Sequence, residues 1–264
     1  MNETFEESQF TSAAQRQARL LNHLRTEVFA DAQALKEALG VSIATVRRDL
    51  TELETRGLLK RMHGGAAIIN QTSRDYGNAV REVTNAAEKA RIGRAAAELI
   101  VDGDAVIIDS GTTSIQAAKL LAGRNSLTFV TNGPDTLAHL VEGGARSVHF
   151  IGGEYIEMNK SLGGPMAVAG VRQFSVDKAI LSVTAVDLER GMIATGTPQM
   201  GAVQQAMVEV AKTVIVVADH SKFQRTALSV IASLSAIDHI VTDEKTRAFT
   251  RSLPNDLRSK FIFV

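Results

Sequence analysis

Apolar residues at Ile43, Val46, Leu50 and Leu53 recur at helical spacing, and Ala44, Arg48, Thr51 and Thr55 fall on the opposite face, flanked by Thr45 and Arg47. The pattern predicts a helix with one packed side and one outward side, capped by the Ser42 hydroxyl. Upstream, Asp31 is suited to cap a helix over Ala32–Leu39 with Leu35, Ala38 and Leu39 turned inward, and Gly40 stands where such a helix ends in a left-handed conformation. Ser12-Ala13-Ala14-Gln15 reads as a capping box opening a first helix to about Arg25 that buries Leu20, Leu21 and Leu24. Beyond Gly57, Leu58 and Leu59 read as strand and Gly64-Gly65 as a tight turn, so a β-wing follows, with Val28-Phe29 as a short strand pairing to it. Helix, glycine turn, capped helix and wing form a winged helix-turn-helix over residues 12–67.

The texture then changes. Residues 68–85 have no clean period and read as a linker, and an alanine-rich helix follows over Ala86–Ile100. Short apolar runs at 105–109, 127–132, 148–153, 177–183, 213–219 and 238–243 alternate with helical stretches, one containing Ile115, Ala118, Leu120 and Leu121, one opening at Pro134 and one over Pro198–Ala211. This alternation predicts an α/β domain over 86–264, a Rossmann-like open sheet of mostly parallel strands with helices on both faces.

Composition narrows the picture. The chain has 264 residues, 29 basic and 29 acidic, with 45% hydrophobic residues, as expected of a globular protein of one or two domains. Overall neutrality does not suggest nucleic acid, but residues 12–66 carry nine Arg/Lys against six Asp/Glu. Residues 1–11 are read as a mobile acidic tail, with Glu3, Glu6 and Glu7. The absence of cysteine excludes disulfides, thiolate catalysis and zinc fingers, and the absence of tryptophan argues against an aromatic platform for bases. No apolar run approaches membrane-spanning length and no signal sequence opens the chain, so a cytoplasmic protein without a membrane partner is expected. The six histidines show no metal-ligand spacing, and neither metal nor cofactor is expected.

Two sets of residues carry candidate chemistry. The outward face of the capped helix offers Ser42, Ala44, Thr45, Arg47 and Arg48: small residues allow close approach to a major groove, and arginine binds guanine edges or phosphates. Lys60, Arg61, His63 and Gly64 in the wing add groove or phosphate contacts. The competing reading is a helical packing module with a solvated basic face. In the second domain, strand ends carry Asp109-Ser110-Gly111-Thr112-Thr113, Asn132, Gly152-Gly153 and, after Asp219, Lys222. Ligands of open α/β sheets bind at these ends. Thr112 and Thr113 at a helix start favour an anion, Lys222 can neutralise it, and Asp109 or Asn132 can orient sugar hydroxyls. Each feature alone also reads as a cap, a tight turn or a solvated lysine; the case rests on all four loops sharing one sheet edge.

The run from Val41 to Ala66 resembles the winged helix-turn-helix of DeoR-family bacterial transcription regulators, in Val41-Ser42, Thr45-Val46-Arg47-Arg48-Asp49-Leu50, Leu53-Glu54, Gly57, Arg61 and His63-Gly64-Gly65-Ala66. The effector domain of that family has a pattern similar to Asp109–Thr113, Thr131-Asn132, Gly152-Gly153, Asp219 with Ser221-Lys222-Phe223, and Thr242-Asp243. The resemblance implies an effector domain akin to ribose-5-phosphate isomerases and coenzyme A transferases. It also implies double-stranded operator DNA as partner, a homodimer or homotetramer, and a repressor of a carbohydrate-catabolic operon released by a sugar phosphate or related metabolite. One departure stands out: where the family has Glu-Ala-x-Val-Lys-Arg-Ala-Met, this chain has Met200, with Gln204 and Gln205 at the basic positions. That makes the pocket more apolar and brings a larger or less charged ligand into range.

The rival is an isomerase-like sugar-phosphate enzyme with an accessory DNA-binding domain. It needs a general base, for which Asp109 and Asp219 are available while the helix acid is missing. Other catalytic patterns fail: Gly191 and Gly196 have P-loop spacing, but Thr197 stands where lysine is required. No catalytic residue is assigned.

Overall fold

Three helices build the N-terminal unit: α1 (Ala13–Glu27), α2 (Ala32–Leu39) and α3 (Ile43–Thr55). They pack with a three-stranded antiparallel sheet of β1 (Phe29–Asp31), β2 (Leu59–Met62) and β3 (Gly65–Ile68), ordered β1-β3-β2. The computed structural model describes residues 12–27, 29–62, 65–68, 81–82, 84–223 and 225–264, in two units, the first ending at Thr84 and the second beginning at Asn85. Among the expected contacts, His63 and Gly64 lie outside the described residues.

The local chemistry is that of the sequence. Ser12 and Gln15 exchange the two bonds of a capping box, each at 3.2 Å. Asp31 caps α2 through Ala34 N at 2.7 Å, and Ser42 caps α3 through Thr45 N at 3.1 Å. Gly40 ends α2 at φ 66°, a left-handed position that a side chain would strain. Leu20, Leu21, Leu24, Leu35, Val46, Leu50, Leu53 and Leu59 form the core. Ala38 does not join it. Leu35 and Leu39 fill the buried stripe of α2 and turn Ala38 to solvent. Ile43 is only half-buried at the open first turn of α3, and Leu58 sits in a bend just before β2.

A polar strut crosses this core. Asp49, buried on α3, accepts from Arg16 Nε at 2.5 Å and Nη2 at 2.9 Å. Gln17 bridges Asp49 and Glu52, and Arg56 donates to Gln17 at 3.1 Å. The bond to Asp49 raises the Arg16 pKa further, so the guanidinium keeps its charge in the strut. Asp49→Ala should therefore cost about 2–3 kcal/mol, because it leaves a half-buried guanidinium and a buried amide without their acceptor. A lower urea midpoint for the N-terminal transition is the expected result, and an unchanged midpoint would remove the strut from the stability account.

The second unit is built on seven parallel strands: β4 (Ala105–Ile108), β5 (Thr128–Thr131), β6 (Val148–Phe150), β9 (Val176–Ser182), β12 (Ala211–Val217), β14 (His239–Thr242) and β15 (Phe261–Phe263). Their order is β15-β14-β12-β9-β4-β5-β6. Both faces are covered, and residues alternate between two cores. Ile107, Ala179, Leu181, Val214 and Val216 face one layer; Val106, Ile108, Ile180, Ile215 and Val217 face the other. The first layer includes Ala167 and Val171 of α7 (Gly164–Val171) and Val203, Ala206 and Met207 of α8 (Pro198–Val210). The second includes Ile92 and Ala96 of α4 (Ala86–Glu98) and Ala117, Ala118 and Leu121 of α5 (Ser114–Leu121), while Leu140 of α6 (Pro134–Glu142) completes it. Leu120, on the same helix as Leu121, is exposed.

Three elements escaped the sequence pattern. His239–Thr242 is not the last strand, because Phe261–Phe263 adds in parallel beside it. An antiparallel sheet of β10 (Ala185–Asp187), β11 (Met192–Thr195) and β13 (Ser229–Ser233) and a hairpin of β7 (Glu154–Ile156) and β8 (Ser161–Gly163) complete the unit. These strands are three to five residues long, too short for a period to show.

Candidate functional site

The outward face of α3 is open. Ser42, Ala44, Arg47, Arg48, Thr51 and Thr55 are exposed and Thr45 is half-buried. Ser42 Oγ and Thr45 Oγ1 are 2.9 Å apart, so the cap also fixes the threonine at the start of the helix. No hydrogen bond or ion pair holds the guanidinium of Arg47 or Arg48 to the described residues, and both are available to an external acceptor. Arg61 of the wing is exposed as well. Its Nη1 donates to Thr51 Oγ1 at 3.0 Å, and its backbone N–H donates to Glu54 at 2.8 Å. Wing and helix are thus locked in one orientation, with cations on the shared face.

In the sheet, chain order reverses between β4 and β9: β5 and β6 extend to one side of β4, and β9, β12, β14 and β15 lie on the other. The crevice at such a reversal, at the carboxyl ends of the strands, is where open α/β sheets hold ligands. Asp109 leaves β4 there, and Ser182 ends β9. Asp109 Oδ1 accepts from Gly111 N at 3.0 Å and from Ser114 Oγ; Oδ2 accepts from Ser182 N at 2.9 Å and Gln204 Nε2 at 3.0 Å. Burial pushes the Asp109 pKa up against these four donors. This carboxyl shapes the loop, and both of its oxygens are already engaged. Gly111 is required by the same junction, since a Cβ there would overlap the Ser182 side chain.

Ser110, Thr112 and Thr113 are buried beside Asp109. Asn132, also buried, follows β5, and its Nδ2 donates to Leu162 O at 2.8 Å. Gly152 and Gly153 follow β6 at the far edge of the sheet. Gly152 is exposed, and Gly153 lies close against Gly163 and Ala167. Lys222 follows β12, across β9 from Asp109, and is half-buried.

The sequence reading missed Lys89. It is 3% exposed, and its Nζ donates to Thr112 Oγ1 at 3.1 Å. A signal was present: Lys89, Ile92, Gly93 and Ala96 share the buried stripe of α4, and a lysine on such a stripe must meet a polar partner. Asn85 Nδ2 donates to Asp219 at 2.8 Å, and Glu88 pairs with Lys245 at 3.0 Å, fastening the start of α4 to the strand ends. Burial pushes Asp219 up, but the charges of Lys222 and Lys89, with bonds from Ser221 and Asn85, outweigh it and hold the pKa at about 2. The Met200 side chain is buried and accepts from Ser161 Oγ at 3.0 Å.

His220 follows β12, with Nδ1 3.0 Å from Asp243 Oδ2. The bond to Asp243 raises its pKa against the opposing effect of burial. A raised folded value means that this pair stabilises fully below the ordinary histidine pKa of 6.5 and loses that stabilisation as pH rises through the folded value. Urea stability of the wild type should thus fall relative to His220→Gln as pH rises from about 6 to about 9. Parallel pH profiles for the two proteins would show that the pair contributes nothing.

Comparison with known proteins follows the same division. Residues 16–72 match the DeoR-like helix-turn-helix domain, and residues 84–244 match the DeoR C-terminal sensor domain. The chain is 47% identical to the transcriptional repressor AccR of Agrobacterium fabrum, over 96% of this chain and 98% of that protein. It is 30% identical to the glycerol-3-phosphate regulon repressor of Escherichia coli, over 87% of this chain and 90% of that one. Among solved structures, ribose 5-phosphate isomerase A from Methanocaldococcus jannaschii aligns with a TM-score of 0.41 at 14% identity, covering 53% of this chain and 55% of that one.

Proposed function

The chain belongs to the DeoR family of transcriptional regulators, and from that premise we propose that it represses a carbohydrate-catabolic operon and is released by a sugar phosphate or related metabolite. Residues 12–67 are the DNA-reading domain in this reading, 68–85 the linker and 86–264 the sensor. Ser42, Ala44, Thr45, Arg47, Arg48 and Arg61 meet the operator, with His63 and Gly64 of the wing. One winged helix reads a short half-site, so a homodimer or homotetramer spans the operator.

The observation that carries the effector reading is the convergence of Lys89 and Lys222 on Asp219, beside the Thr112–Thr113 helix start. Two cations there exceed the one carboxylate they hold, which suits an anion. Ser110, Gly111, Thr112, Thr113, Asn132 and Lys222 remain the proposed contacts, with Lys89 added. Asp109 orders the loop for them, and Gly152-Gly153 border the site from β6. An isomerase would need a general base near the substrate. Asp109 has both oxygens engaged and Asp219 is held ionised between lysines, so regulation is favoured over catalysis.

The test uses the full chain and the promoter fragment upstream of its own gene, followed by fluorescence anisotropy at fixed salt. Binding should be specific, and one of a panel of sugar phosphates should raise the apparent Kd at least about tenfold. Specific binding that no phosphorylated metabolite alters would overturn the effector half; absence of specific binding would overturn the whole.

A further inference from the structure

Among the helices that cover the sheet, α7 has no polar side chain: it reads Gly-Pro-Met-Ala-Val-Ala-Gly-Val. On the other face of the sheet, α4, α5 and α6 turn Arg91, Arg94, Lys119 and Glu142 to solvent. In α7, Ala167 and Val171 reach the core, while Pro165, Met166 and Ala169 are left exposed. A helix that is apolar all round, with part of it facing outward, is a surface that calls for a cover.

Between α7 and α8 runs an open groove of about 710 Å³, walled by Pro165, Val168 and Ala169 from one helix and by Pro198 and Ala202 from the other. Met166, 72% exposed, stands at its shoulder, three residues before Ala169 on the same side of α7. Among the described residues Arg172 is the one charged side chain that lines the groove. Glu209 of α8 pairs with it at 2.9 Å, both side chains more than half exposed. None of the residues assigned to operator or effector lines this groove.

We propose that this face docks a second copy of the chain, in a two-fold contact where Met166 of each copy fills the groove of the other. The proposal rests on the homo-oligomer proposed above and gives that assembly its surface. Two observations favour a second copy over a different partner. Knob and hole lie side by side on one face, so the same patch can serve both sides of an isologous contact. The rim carries one cation and one anion already joined, so a like face meets no net repulsion and a strongly charged partner finds no countercharge. An anionic lipid surface is disfavoured on the same ground, since helices that lie on membranes present lysine and arginine. Methionine, flexible and polarisable, is suited to filling an irregular apolar groove.

Sedimentation velocity of the full chain from about 0.1 to about 100 μM tests this. The wild type should be a dimer or larger. Met166→Glu and Ala169→Glu each bring an unpaired carboxylate into the contact and should raise the dissociation constant at least about tenfold. Both positions are exposed in the single chain, so far-ultraviolet circular dichroism should not change. The chain has no cysteine, which allows a second reading by cross-linking. A short bismaleimide should join Met166→Cys chains to Ala202→Cys chains in preference to Val141→Cys chains, whose thiol is exposed on α6 across the sheet. An assembly that survives both glutamates, or cross-linking no better than the Val141→Cys control, would overturn the proposal and leave the homo-oligomer standing. Binding to phosphatidylcholine vesicles that Met166→Glu abolishes, with self-association unchanged, would overturn it in favour of a lipid surface. A wild type that stays monomeric over the whole range would instead overturn the homo-oligomer on which the proposal rests.

Discussion

Arg48→Ala should weaken operator binding by about 1–3 kcal/mol, roughly 5- to 150-fold at matched salt. The argument starts from the cap. Ser42 fixes where α3 begins, and Val46, Leu50 and Leu53 fix which side is buried; Arg48 is then held outward with no partner among the described residues. A guanidinium in that position either forks onto a guanine edge or rests on phosphate. The two cases separate by measurement. A base contact makes the loss depend on sequence at one base pair, whereas a phosphate contact weakens all sequences alike and lowers the salt slope by about one. Arg48→Lys keeps the charge but not the fork, and should recover the phosphate case only. Affinity unchanged in both variants would remove Arg48 from the interface.

The second large effect belongs to the sensor. Lys222→Ala and Lys89→Met should leave operator affinity intact and abolish release by the effector. Neither side chain lies in the DNA-reading unit, and both hold Asp219 ionised despite its burial. Removing either cation leaves Asp219 with only one of the two lysines that lower its pKa. Affinity for a phosphorylated effector should then fall more than about tenfold, the scale of losing a charge-assisted bond in a part-buried site. Lys222 is the cleaner test because it is half-buried and its loss disturbs packing least. A Lys222→Ala protein that still responds normally would place the effector elsewhere.

Much of this was legible in the sequence wherever a pattern was long or a cap was local. The α3 stripe, the Ser42 and Asp31 caps, Gly40 and six of the seven parallel strands all follow from periodicity and short-range bonding. What was not legible depends on contacts between distant residues. Asp109 looked like a ligand-orienting acid because it ends a strand. The structure gives its oxygens to Ser182 and Gln204, which lie 73 and 95 residues later. Gly111 looked like room for a ligand, and it makes room for Ser182. Lys89 was passed over because an alanine-rich helix hides one buried lysine among small neighbours. The replacement of a basic residue by Gln204 was visible, but its meaning, an amide that holds Asp109 while leaving its own oxygen unclaimed, required the fold.

The place of β4 between β5 and β9 also bears on how the chain comes to be folded. Ala105–Ile108 can pair with β5 soon after synthesis, but its other edge waits until Val176–Ser182 has left the ribosome. The three short helices of the N-terminal unit close over near neighbours and need no such wait. The two halves should therefore mature on different clocks, with the apolar edge of β4 as the surface most exposed to misassociation in the interval.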